Sequence, residues 1–368
     1  MTACFFSFLR KITFHFHYLT YLMKAVVLLL IPLFLMMGTL FAQDAPRVFI
    51  FTDINIDQGD PDDRQSLIHL MWYANELQIE GIVPDRWSAD GYQACELVID
   101  AYARDFQQNN FEQQGYPTPE SVRKQIAMDT AHAFQLFQQA ASLETSPLYV
   151  LVWGNMRIFS QAIGQNPELS QNIRVITIGT GLMLEQDIPH LPKSWEKSEP
   201  CVQLNWNGFG RNAIYNDPQY DNLWWLEINW TYNGMFTGEE PKQLFSQLAE
   251  YGHLGEHMQE VVKNQPWARY FRVGDTPSVL YVIDETNELN NPTEASWAGQ
   301  FTQPFPEKKP NYYTDQSGEF DWNYEDPCET WANHQAVKDF AKGTLEKQRS
   351  DMYHSLLEKL DELYQSER

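Results

Sequence analysis

An apolar run, Val48-Phe-Ile-Phe-Thr52, stops at Asp53, crosses a turn holding Asp57 and Asp60, and resumes at Asp62-Asp63 as a stretch of helical spacing. Strand-like and helix-like segments then alternate along the chain. That order restricts the fold to the α/β class, a mostly parallel central sheet with helices on both faces. The turn also carries five carboxylates in eleven residues. Carboxylates this crowded raise one another's pKa values, and a positive charge among them, usually a metal ion, relieves the repulsion.

The first helix has good start signals. Asp60 suits a cap, Pro61 suits the first helical position, and Asp62 and Asp63 sit at the positive end of the dipole. Leu67, Leu70, Met71, Ala74 and Leu77 follow helical spacing and should pack on the sheet. Residues 79–83 read as a second strand. Pro84-Asp85-Arg86-Trp87 follows at its carboxyl end, where open α/β sheets place ligand loops, so Asp85 and Trp87 become candidate substrate contacts.

Helices are expected near 90–107 and 129–142. A third strand spans 147–153, closed by Gly154-Asn155, and a fourth spans 173–178. Residues 182–238 are irregular and rich in tryptophan, the character of substrate loops in a compact domain. Two helical segments follow, near 241–251 and 254–263. Gly274-Asp275-Thr276-Pro277 then opens an apolar run, 278–283, read as a strand. Residues 291–326 show no clear period, and one closing helix is expected over 336–363.

Lys24 followed by the apolar run to Met37 and the small residues up to Ala42 reads as a secretory leader over residues 1–42, with Met23 a plausible start. A periplasmic or secreted protein without a stable membrane anchor is the expectation. Removing Arg10, Lys11 and Lys24 with the leader leaves 23 basic against 49 acidic side chains, a formal charge of −26. Such a surface repels nucleic acid and anionic membrane. Cys95, Cys201 and Cys328 remain after processing and match no zinc spacing. Cys201 with Cys328 is a candidate disulfide and Cys95 a buried thiol.

Oxygen ligands without nearby His or Cys favour Ca²⁺ over zinc. Here the chain resembles a known family. Strand, Asp53, turn, Pro61-Asp62-Asp63 and helix are similar to the nucleoside hydrolase fingerprint, and specifically to the nucleoside hydrolase-like domain that opens a family of bacterial cellulose-binding proteins. Trp72-Tyr-Ala-Asn-Glu-Leu-Gln-Ile-Glu-Gly81, the strand ending in Val152-Trp153-Gly154, Gly274-Asp275-Thr-Pro-Ser278 and Ser296-Trp297-Ala-Gly299 extend the likeness. Together these segments cover most of residues 46–300. The resemblance implies an α/β domain over 43–300, with residues 301–368 as a loop and helix packed on it.

The resemblance also implies roles. Asp53, Asp63 and Asp275 would bind Ca²⁺ by side chains and Trp153 by its carbonyl, while Asp62 would grip sugar hydroxyls. In the family, a water activated by the metal loses its proton to a first-strand carboxylate and attacks the anomeric carbon through an oxocarbenium-like transition state. Asp53 is the candidate base here, and Asn155 and Asn212 are candidate sugar ligands. Phe51 stands where the hydrolase fingerprint has an aspartate, and the turn after Asp53 is longer, which leaves Asp57 and Asp60 as alternative ligands. Gly274 stands where one hydrolase group has a histidine that protonates the leaving group. The expected partner is a nucleoside or furanosyl carbohydrate. A sugar-binding protein with reduced catalysis is the alternative, and a homo-oligomer is left open.

Overall fold

The structure, a computed structural model, describes residues 45–56, 61–87, 90–183, 204–205, 210–321 and 333–364. The leader, Asp57, Asp60, Cys201 and Cys328 lie outside them. Among the described residues, nine strands and their helices occur in this order. Strand β1 (Arg47–Thr52) leads to helix α1 (Asp62–Trp72), then β2 (Gln78–Pro84), α2 (Gly91–Gln108), α3 (Pro119–Lys124) and α4 (Thr130–Ala141). Strand β3 (Leu148–Trp153), α5 (Arg157–Gln165), β4 (Ile173–Ile178), β5 (Leu182–Met183) and β6 (Leu204–Asn205) follow. Next come α6 (Arg211–Tyr215), β7 (Trp224–Ile228), α7 (Glu240–Leu248), α8 (Gly252–Val261) and α9 (Pro277–Ile283). The chain closes with β8 (Phe301–Thr302), β9 (Tyr312–Asp315), α10 (His334–Glu346) and α11 (Arg349–Leu363).

Seven strands form the main sheet in the order β2-β1-β3-β4-β7-β9-β8. All neighbours are parallel except β8 and β9. Because β1 lies between β2 and β3, the chain winds outward in both directions from β1. The carboxyl ends of β1 and β3 therefore flank a switch point, the place where open sheets form ligand crevices.

Every residue of β1 and β3 is buried, as both faces of the sheet are covered. Val48, Ile50, Leu151 and Trp153 face the layer that includes α1, α2 and α8. Phe49, Phe51, Val150 and Val152 face α4 and α5, where Phe49 and Phe51 meet Phe137 edge-on at centroid distances of 5.5 and 5.9 Å. A side chain at Gly81 would put its Cβ 2.2 Å from the Phe49 ring, so glycine is what lets β2 lie this close to β1.

Three expectations are corrected. Residues 278–283 form helix α9, not a strand. All seven α9 residues are buried, so the run carries no helical period, and Pro277 at its start was the informative residue. The closing helix is two helices, because Arg349 at the break reaches back to the Gly234 carbonyl (2.8 Å) and Glu240 Oε2 (2.7 Å). Residues 224–228, expected to be loop, are an internal strand. Its Glu227 interrupts the apolar pattern yet is fully buried, held by Arg211 through two 2.8 Å bonds. Arg211 is therefore a structural partner of Glu227.

Candidate functional site

Asp53 follows the last residue of β1, and Asp62 and Asp63 open α1, so one strand-to-helix crossover delivers three carboxylates to the switch point. Asp275 arrives from far along the chain, two residues ahead of α9. Carboxylate oxygens of Asp62, Asp63 and Asp275 lie within 4.8 Å of one another. Asp63 and Asp275 are 8% and 5% exposed, while Asp62 is half-buried on the open side.

Neighbouring hydroxyls hold this group. Thr52, the last residue of β1, donates its Oγ1–H to Asp63 Oδ1. Ser66, one turn into α1, hydrogen-bonds Asp275 Oδ2 at 3.4 Å. The Trp153 indole donates to Ser278 Oγ (2.9 Å), and Ser278 donates to the Asp275 carbonyl (2.7 Å). The end of β3 and the start of α9 are thereby tied together. Burial and the charges of Asp275, Asp53 and Asp62 push the Asp63 carboxyl well above its ordinary range, against the opposing pull of Thr52. An all-oxygen donor set under this repulsion fits a hard divalent cation.

Asp53 is near enough for its charge to act on Asp63, but its own carboxylate pairs with Arg86. Asp85, next to that arginine, is 6% exposed, and neither of its oxygens has a hydrogen-bond partner. Burial and the Asp53 charge push it up to about 7, with Arg157 and Arg86 acting the other way. Trp87 donates to the Ala127 carbonyl (3.2 Å) and is half-buried. Asn155 accepts from the Arg157 amide (2.8 Å) at the start of α5, and Asn212 accepts from Arg211 Nη1 (3.2 Å). The structure thus gathers Asp62, Asp63 and Asp275, with Asp53 and Asp85 at the adjoining strand ends.

Two aromatic residues beside the carboxylates were not singled out from the sequence. A Cβ at Gly274 would lie 2.8 Å from Asp62 Oδ2, 3.4 Å from Tyr232 and 3.6 Å from Phe236. Glycine is thus what allows the Asp62 carboxylate to sit against the backbone before Asp275. The Arg272 guanidinium lies 4.7 Å from the Phe236 ring centre and 5.3 Å from that of Trp267, which is 57% exposed. An aromatic and guanidinium surface therefore continues outward from Phe236.

A family model described as cellulose-binding Sde182, nucleoside hydrolase-like domain, matches residues 47–301. The chain belongs to that family. Among solved structures, a nucleoside hydrolase-related protein from Saccharophagus degradans associated with carbohydrate metabolism is similar at 17% identity and TM-score 0.55. The match covers 86% of this chain and 72% of that one. An inosine-uridine preferring nucleoside hydrolase from Bacillus anthracis is similar at 14% identity and TM-score 0.42, over 81% of this chain and 99% of that one. No curated protein matches this chain. The family assignment and the parallel sheet agree on a nucleoside hydrolase-like α/β fold.

Proposed function

We propose that this protein is an exported, calcium-dependent glycosyl hydrolase that cleaves a ribosyl or other furanosyl bond. The observation that carries the reading is the convergence of Asp62, Asp63 and Asp275 within 4.8 Å at the switch point of the sheet. Asp63 and Asp275, the buried pair, would hold the cation from opposite ends of the chain, with the Trp153 carbonyl beside them. Asp62, on the open side, would take sugar hydroxyls. Calcium bound there supplies the charge that acidifies a water and orients a sugar diol.

The remaining steps belong to the protein. Asp53 accepts the proton of the attacking water, and Arg86 holds its carboxylate in place until substrate enters. Asp62 aligns the sugar, and the wall formed by Tyr232 and Phe236 limits water around the anomeric carbon. Asp85 and Trp87 border the pocket on the β2 side, Asn155 contributes an amide after the end of β3, and Asn212 contributes one from α6. The leader directs the chain to the periplasm or beyond.

Two observations favour a second reading, a carbohydrate-binding protein with little turnover. Gly274 offers no side chain to protonate a leaving group, and exposed Trp267 suits a sugar ring. The deciding experiment uses the mature chain, stripped of metal and resupplied with Ca²⁺, with free sugar measured from nucleosides and furanosyl oligosaccharides. Calcium-dependent release supports hydrolysis. Tight polysaccharide binding without release selects the binding protein.

A further inference from the structure

A polar cavity of about 840 Å³ opens between α1, α2 and α8. Arg64 reaches it from α1, Asp100 and Arg104 from α2, and His257 and Glu260 from α8. His257 is 6% exposed, and its Nε2 has no hydrogen-bond partner. Its Nδ1 faces Glu260 Oε2 at 3.5 Å. The Arg64 guanidinium is anchored by a 2.9 Å bond from Nη1 to the Ile56 carbonyl. Asp100 is engaged by Arg123, and Glu260 faces His257.

We propose that this cavity binds a small oxyanion, a phosphate or a carboxylate group, between Arg64, Arg104 and His257. Guanidinium groups present planar donors that match both anions, and Arg64 and Arg104 both line the cavity. In a chain of formal charge −23, two arginines meet beside one buried, neutral imidazole, with Asp100 and Glu260 at the rim. Ile56, Leu97 and Val261 form an apolar wall that lowers the local dielectric and strengthens each charged contact.

Proton linkage follows from the same arrangement. Burial and the charges of Arg64 and Arg104 push His257 down to about 4, against the pull of Glu260, so the ring is neutral near pH 7. With Nδ1–H turned to Glu260, Nε2 is the lone-pair nitrogen, and it becomes a donor only by taking a proton. An anion beside it stabilises that protonated form, so binding takes up a proton and tightens as pH falls.

Calorimetric titration of the whole chain with inorganic phosphate, and separately with glucuronate, at pH 5.5 and 8.0 tests this site. One anion at least should bind at a single site, more tightly at pH 5.5, with proton uptake and movement of the His257 ring signals in NMR. The stronger ligand identifies phosphate or carboxylate. Arg104→Ala, at an exposed position, and His257→Gln should each weaken binding by about tenfold or more while calcium affinity stays unchanged. Millimolar-or-weaker binding of both anions at both pH values, or binding indifferent to both substitutions, overturns the proposal.

Discussion

Asp63 and Asp275 bring carboxylate oxygens within 4.8 Å of each other, although one opens the first helix and the other precedes α9. Only the first is brought there by nearby sequence. The first is set by the crossover from β1, and Thr52 holds it from the strand end. The second is set by the Trp153–Ser278–Asp275 hydrogen-bond chain from the end of β3. A site assembled this way depends on the sheet, and its charge balance dictates how the protein responds to pH and metal.

Asp85 should make the protein less stable as pH rises. Its folded pKa, about 7, lies above the ordinary carboxylate value, so the folded state keeps a proton that the unfolded state has already released. Stability falls between the unfolded and folded pKa values, from roughly pH 4 to pH 7, and levels off above that range. The cost at full ionisation is roughly 3–5 kcal/mol at about 1.4 kcal/mol per pKa unit. Denaturant titrations of Asp85→Asn should show a shallower decline over that window and greater stability at pH 8. An unchanged profile would show that Asp85 ionises freely.

Gly274→Ala should disturb Asp62 first, because the added Cβ would stand 2.8 Å from Oδ2 of that carboxylate. The Asp62 side chain can swing away, so the expected loss of stability is modest, about 1–2 kcal/mol. Turnover or sugar affinity should fall by at least about tenfold, equivalent to about 1.4 kcal/mol. Wild-type kinetics in the variant would mean that Asp62 is not a substrate ligand.

Arg211→Met should destabilise strongly, since Glu227 would remain fully buried without its partner. Burial alone raises the Glu227 pKa, and the Arg211 pair, with Tyr312 and Thr180, more than reverses this and holds it low. Removing one member of such a pair costs about 3–5 kcal/mol. Thermal unfolding measures the loss, and the double variant Arg211→Met with Glu227→Leu should recover much of it.

Trp267→Ala tests the outer aromatic surface. The side chain is exposed, so folding should be unaffected. Loss of stacking costs about 0.5–1.5 kcal/mol, seen as weaker oligosaccharide binding or raised KM at constant kcat. Equal affinity in both proteins would remove Trp267 from the ligand surface.

The strand-and-helix alternation through residue 178 was legible because each strand is a short apolar run followed by a turn signal. Beyond it, long-range pairing governs. Glu227 disguises β7 until Arg211 is known to meet it, and α9 looks like a strand because every side is buried. Asp53, Asp62 and Asp63 stood out by their crowding in one turn of the sequence, whereas Asp275 was named only by the family resemblance. The pairing of Asp53 with Arg86, the closeness of Gly274 to Asp62, and the aromatic wall of Tyr232 and Phe236 arise only from tertiary packing. His257 showed no sequence signal, since its environment is made by arginines on two other helices.

Calcium titration of the metal-free mature chain by calorimetry at pH 7, alongside Asp63→Asn and Asp275→Asn, tests the central claim most directly. Wild type should bind one Ca²⁺ per chain, and both variants should lose affinity by at least about a hundredfold, or 2.7 kcal/mol. Calcium binding of equal strength in all three proteins, or none in the folded wild type, would contradict the account.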